Sequence, residues 1–183
     1  MATIWMDIPN VPEIHLLKMV VGNFPDHNLI ITTRDYAGMP ELVKQTAPNV
    51  IVIGRHHGGN LAAKALGMAS RVLLLSINLP RFDVSFGFIG INQACVTRMR
   101  GKPMISITDN DFFTFNALLS LRLSKYIFIP ECLDSLKLKK MGASAGSLIE
   151  YPGFKEDLYI ADFQPDVRFP SGIPFKDYVV VRP

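Results

Sequence analysis

The sequence predicts an α/β fold: one domain in which six or seven parallel strands form a three-layer, doubly wound, Rossmann-like sheet between helices. Three observations predict it. Apolar runs of four to six residues recur about six times, each followed by a polar or glycine-bearing loop and then an amphipathic stretch, the alternation that βαβ units require. The runs are nearly continuously apolar, so both faces of the sheet are covered. Crossovers between parallel strands are right-handed in nearly all known cases, which leaves the doubly wound arrangement.

The elements come in order along the chain. Thr3 to Ile8 reads as the first strand and Pro12 to Phe24 as its helix, with Asn10 as N-cap, Pro12 in the first turn and Glu13 in the capping-box position. Asn28 to Thr32 is a second strand, followed by a helix over Pro40 to Thr46. Val50 to Ile53 is a third, followed beyond a glycine loop by the helical stretch Asn60 to Ser76. Phe82 to Phe86, Met104 to Ile107 and Tyr126 to Ile129 supply three more strands. Their helices are Ile91 to Met99, Phe112 to Leu123 and Leu133 to Met141. Ser147 to Glu150 offers a seventh strand. Tyr151 to Pro174 is rich in proline, aromatic and acidic residues without a clean period, and irregular or short helical structure is expected there. Tyr178 to Val181 reads as another buried strand with no helix after it. Residues 1–176 are thus expected to form the domain, and residues 177–183 either its last strand or the opening strand of a second domain.

Composition narrows the function. Hydrophobic residues make up 49% and charged residues 19%, the balance of a globular interior rather than a disordered chain. A net charge of +3, from 19 basic and 16 acidic residues, does not suggest a nucleic-acid partner, which needs a concentrated basic face. The clusters Arg98 to Lys102 and Lys137 to Lys140 fall late in predicted helices, where cations complement the helix dipole. Cys95 and Cys132 are far apart and signal neither a disulfide framework nor a zinc site, and no metal site is expected. The first residues lack a basic region ahead of an apolar stretch, and the longest apolar segment, Leu73 to Leu79, is too short to span a membrane. A cytoplasmic protein without a membrane span is the expectation.

In an open parallel sheet the ligand crevice lies outside the carboxyl ends of the strands, where the strand order reverses. The polar residues gather at that rim: Asp7 and Asn10; Thr33, Arg34 and Asp35; Arg55, His56 and His57; Ser85; Asp109, Asn110 and Asp111; Glu131. The loops at the other rim read as plainer. The loop Gly54 to Asn60, which includes Gly58, feeds a helix N-terminus, a setting for an anion; the alternative is a simple glycine turn with exposed histidines. It fits neither the Walker spacing nor the dinucleotide fingerprint, and the turn after the first strand lacks glycines, so NAD binding is disfavoured and no cofactor is expected. Asp109-Asn110-Asp111 could hold a divalent ion or sugar hydroxyls, although capping of the next helix is the favoured reading. Glu13 and His15, in the first turn of the first helix, are the candidates for proton transfer, set against a capping Glu13 and a merely exposed His15. No serine or cysteine sits in a nucleophile elbow.

The opening Ile-Trp-Met-Asp-Ile-Pro-Asn-Val-Pro, the Thr-Thr-Arg-Asp-Tyr after the second strand, the Gly-Arg-His-His-Gly-Gly loop, the Asp-Asn-Asp turn, Ile-Pro-Glu and Tyr-Pro-Gly-Phe-Lys-Glu come in one order along nearly the whole chain. Together they resemble family three-five-four of the domains of unknown function, typical of archaea. Its members look like GT-B proteins, similar to UDP-N-acetylglucosamine 2-epimerases and to the glycosyltransferase that completes the peptidoglycan lipid intermediate. The resemblance implies two Rossmann-like domains across a cleft, the second holding most of a nucleotide sugar. This chain looks like the first domain, with Val-Val-Val-Arg-Pro opening the second. Glu13 stands where many relatives are expected to carry histidine. The resemblance therefore implies the acceptor-side half of a sugar-nucleotide enzyme, inactive alone, with a sugar or nucleotide sugar as ligand. Two other readings compete: a non-catalytic binding or assembly domain that oligomerises, and a metal-dependent hydrolase using Asp7, His56, His57 and Asp109.

Overall fold

The computed structural model describes residues 1–55, 60–112, 114–160, 163, 164, 179 and 181. The strands are β1 (Thr3–Asp7), β2 (Asn28–Asp35), β3 (Ile51–Arg55), β4 (Val84–Phe88), β5 (Met104–Ile107), β6 (Tyr126–Pro130) and β7 (Leu148–Tyr151). They form one seven-stranded sheet in the order β3-β2-β1-β4-β5-β6-β7, with every pair parallel. This is the α/β Rossmann-like fold, and the segment read as a seventh strand is β7. The helices are α1 (Glu13–Asn23), α2 (Met39–Lys44), α3 (Leu61–Asn78), α4 (Ile91–Met99), α5 (Phe115–Leu123), α6 (Ser135–Lys140) and the short α7 (Asp157–Ile160), which lies against α1. The strand expected at Tyr178 to Val181 falls outside the described residues except for Val179 and Val181, both exposed.

The layers follow from the period-2 alternation of side chains in β1. Ile4 and Met6 point to one face and pack with Ile14, Leu17 and Val20 of α1 and Met39 and Val43 of α2. Trp5 points to the other face and packs with Leu75 of α3, Leu79 and Phe82 in the connection after it, and Val96 of α4. A third cluster joins Ile127 and Ile129 of β6 to Leu121 of α5 and Leu138 of α6. Each such aliphatic side chain contributes ~1.5–3 kcal/mol by leaving water.

Several helix starts differ from the sequence reading, and proline accounts for the first. Asn10 does not cap α1 with its side chain: Pro12, which would have offered a backbone N–H to it, has none. The Glu13 and Ile14 amides bond to Asn10 O and Val11 O, at 3.2 and 3.1 Å, in a turn ahead of the helix. The Asn10 amide instead donates to the Glu13 carboxyl at 2.8 Å, so no capping box forms. α3 is capped by Asn60, whose Oδ1 accepts from the Ala63 amide at 2.8 Å. Thr114 caps α5 and Asp134 caps α6.

The amino-end rim is less plain than the sequence suggested. A cavity of about 550 Å³ there is lined by Arg81, Asp83, Arg100 and Lys102 among others. Arg100 donates from Nη2 to Ser76 O and Leu79 O, so this late cation of α4 serves the C-terminus of its neighbour α3.

Candidate functional site

Strand order reverses between β1 and β4, and at their carboxyl ends lies a cleft of about 330 Å³. The turn after β1 supplies Pro9 and Asn10, α1 supplies Glu13, β2 supplies Arg34, and Phe88 to Gln93 line the facing wall. Asn116 of α5 completes it.

Asp7 forms the floor. Its Oδ1 accepts from Thr32 Oγ1 and Arg71 Nη2, and its Oδ2 from Arg71 Nη1, each at 2.7 Å. Arg71 also donates Nε to Ile53 O at 2.9 Å, and Trp5 Nε1 donates to Thr32 Oγ1 at 3.0 Å. One buried network thus ties β1, β2, β3 and α3 together. It requires Gly54: with φ at +79° and the Arg71 Cγ and Cδ only 3.0 Å from where a Cβ would stand, the strand must have no side chain there.

Glu13 is the chemically poised group. Burial pushes its carboxyl up from the usual range to about 8, and the negative charge of Asp7 acts in the same sense. The Asn10 hydrogen bond and the cations Arg34 and Arg71 oppose the shift without cancelling it. A carboxyl that changes charge near neutral pH is suited to moving a proton. Arg34 stands beside it, donating Nε to Pro9 O at 3.3 Å and Nη2 to Asn10 Oδ1 at 3.0 Å, with its guanidinium over the Tyr36 ring.

Asp7, Asn10, Glu13 and Arg34 therefore meet in the cleft, and Arg55 lines an adjoining recess that Arg34 also lines. His15 and Asp35 are exposed and line neither cavity. Asp109 and Asp111 do not cap α5, because the helix begins three residues later than read and Thr114 takes that position. Asp109 is ion-paired with Lys155, whose ammonium lies 5.5 Å from the centre of the Phe88 ring. Asp111 is ion-paired with Lys137 at 2.9 Å, and this bond holds its carboxyl below the usual range. Glu131 is exposed beside β7, its amide bonded to Tyr151 O. Ser85 is not at a strand end: β4 runs on to Phe88, and Ser85 is buried and accepts from Thr97 Oγ1. His56, His57 and Gly58 lie outside the described residues. Among the described residues no three of His, Cys, Asp or Glu come together as a metal site, and the Asp7 carboxylate is engaged by Arg71.

Sequence reasoning missed Arg71, Asn92 and Gln93. Arg71 carried a signal, as a charge inside an apolar helical run. Gln93, which donates Nε2 to Trp5 O and Phe86 O at 3.3 and 3.1 Å, carried one only through Gly87, whose missing side chain leaves room for it.

Comparison with solved structures gives the same fold at low identity. UDP-GlcNAc 2-epimerase from Methanocaldococcus jannaschii is 16% identical with a TM-score of 0.59, over 81% of this chain and 45% of that one. MurG from Acinetobacter baumannii is 13% identical with a TM-score of 0.61, over 97% and 50%. HepE from Anabaena, solved with UDP and glucose, is 15% identical with a TM-score of 0.58, over 87% and 46%. The chain thus spans about half the length of the structures it matches. No curated protein matches its sequence. Among the described residues no helix is long and apolar enough to cross a membrane. The family model described as a protein of unknown function, DUF354, matches residues 2–170, and the chain belongs to that family.

Proposed function

We propose that this chain is the acceptor-side half of a GT-B sugar-nucleotide enzyme, of glycosyltransferase or UDP-sugar 2-epimerase type, and that Glu13 moves the proton. One observation carries the reading: a carboxyl with a pKa of about 8 stands in the cleft at the point where the strand order reverses. Structures of this fold include one solved with UDP and glucose and one of a UDP-GlcNAc 2-epimerase, which supports a nucleotide sugar as the ligand.

In the glycosyltransferase arrangement the second domain holds the nucleotide sugar, and Glu13, once ionised, takes the proton of the acceptor hydroxyl as its oxygen attacks the anomeric carbon and the nucleoside diphosphate leaves. Asn10 fixes the carboxyl by its hydrogen bond, and Arg34 stabilises the charged form. Closure of the domains would exclude water and align the reacting atoms, which an isolated half cannot do. The test is isothermal titration and a turnover assay with UDP-N-acetylglucosamine, on the 183-residue chain and on a version extended through a second, nucleotide-binding domain. Weak binding without turnover is expected of the short form. Turnover is expected of the extended form, lowered ~100-fold or more by Glu13→Gln. Turnover by the short form alone overturns the reading.

A further inference from the structure

Beside the cleft lies a recess of about 200 Å³ lined by Arg34, Arg55, Lys64, Arg71 and Asn92. Arg71 is neutralised by Asp7. The other cations are not: among the described residues the ion pairs are Arg71–Asp7, Lys137–Asp111 and Lys155 with Asp109 and Glu156, and none includes Arg34, Arg55 or Lys64. Asp35, the register partner of Arg55 across β2 and β3, makes no ion pair with it. Among the described residues Arg34 is bonded only to neutral oxygens, Pro9 O and Asn10 Oδ1, and a guanidinium has five N–H groups to offer. Lys64 sits in the first turn of α3, which contains no acid, so it adds to the positive end of the helix dipole instead of opposing it. Like charges gathered this way repel one another, and an anion relieves the repulsion. Glu13 does not supply that anion at neutral pH, because its carboxyl is then mostly protonated.

Asn92 is a second, independent sign of a ligand. It lines both the cleft and the recess, and its buried Oδ1 has no hydrogen-bond partner. A buried acceptor left unpaired is costly, and a turn of the half-buried Asn92 side chain would present it to a ligand hydroxyl. The basic cavity on the amino-end rim differs in this respect, since Arg100 there is engaged by backbone carbonyls and Asp83 lies among the cations.

We propose that Arg34, Arg55 and Lys64 form an oxyanion subsite, which holds a phosphate or carboxylate carried by a hydroxylated acceptor while Asn92 accepts from one of its hydroxyls. The subsite would make the acceptor an anionic sugar rather than a neutral one. This assignment rests on the sugar-nucleotide reading for the ligand's identity, but not for the existence of the site.

Isothermal titration of the 183-residue chain at fixed ionic strength, with glucose 1-phosphate, glucuronate and glucose as probes, tests it. Binding of one or both anions and none of glucose is expected, and the stronger anion identifies phosphate or carboxylate as the recognised group. The double variant Arg55→Gln/Lys64→Gln should weaken that binding by about tenfold or more, since charge-assisted hydrogen bonds are lost. Arg81→Gln/Lys102→Gln, the same charge change at the far rim, should leave it within about twofold, as for screened distant charges. The proposal is overturned if neither anion binds, if the Arg55/Lys64 variant binds unchanged, or if both variants lose affinity equally. Tryptophan emission confirms that each variant is folded. If the extended form turns over UDP-N-acetylglucosamine while the anions fail to bind, the subsite alone is wrong. If the anions bind as described and the extended form is inert, the enzymatic reading alone is wrong.

Discussion

Arg71 and Asp7, 64 residues apart in sequence, meet fork to fork: Nη1 to Oδ2 and Nη2 to Oδ1, both at 2.7 Å, with either side chain only 4% exposed. Removing one partner of a buried pair strands the other charge. Asp7→Asn and Arg71→Met should therefore each cost ~3–5 kcal/mol. The double variant should cost clearly less than their sum, by more than the ~0.5 kcal/mol expected of independent sites. Urea unfolding followed by the emission of Trp5, the protein's only tryptophan and fully buried, measures all of these. Additive losses would show that the pair is not coupled.

Gly54→Ala should be more harmful than Gly101→Ala. Both glycines have positive φ, +79° and +64°, but a Cβ at Gly101 meets nothing whereas one at Gly54 meets the Arg71 stem at 3.0 Å. The Gly101 change should cost ~1 kcal/mol of backbone strain, and the Gly54 change that plus displacement of the guanidinium from Asp7. Equal thermal midpoints for the two variants would contradict the packing described for Arg71.

Glu13 gives a pH signature. Its folded-state pKa of about 8 lies above the ordinary 4.5, so between those values the folded protein holds a proton that the unfolded chain has lost. Stability must then fall as pH rises through this window, since the unfolded state binds fewer protons. Glu13→Gln keeps the acceptor for Asn10 and removes the penalty. Its midpoint should exceed that of the parent at pH 8.5 by roughly 2–6 °C, allowing for solvent at the cleft mouth, and the difference should shrink towards pH 5. Differential scanning calorimetry across that range would show a constant offset if Glu13 titrates normally.

Asp134 and Asp111 both touch Lys137 and should behave differently. Asp134 Oδ1 accepts from the Leu136 and Lys137 amides as the cap of α6, and Asp134→Ala should cost ~1 kcal/mol. Asp111 bonds the Lys137 ammonium at the surface, and Asp111→Asn should leave the urea midpoint unchanged at moderate salt. A larger loss from Asp111 than from Asp134 would reverse this assignment.

The fold was legible because apolar runs such as Met104 to Ile107 and helices such as Ile91 to Met99 declare themselves through burial patterns that are local in sequence. The strand ends were less so: Arg34, Asp35 and Arg55 are polar yet belong to β2 and β3, since side chains at the carboxyl end of a strand can reach water. The site was legible in part. Asp7, Asn10, Glu13 and Arg34 could be gathered from the carboxyl ends of the strands and the first turn of the first helix. The roles could not, because Asn10 as side-chain donor to Glu13 depends on what Pro12 withholds, and the role of Asp7 depends on an arginine 64 residues away. The paired acids Asp109 and Asp111 looked like a ligand or capping set because their lysines, at 155 and 137, come from elsewhere in the chain.

The order of the sheet also governs how the chain comes together during synthesis. β1 can pair with β2 at once, but its other edge is covered only by β4, whose partners for Ile4 and Trp5 are Val84 and Ser85. Until the ribosome has delivered that stretch, the nascent β3-β2-β1 layer presents an unpaired strand edge of the kind that invites aggregation. The seam that shapes the cleft is therefore also the edge at which the leading strands β1 to β3 wait for the rest of the sheet.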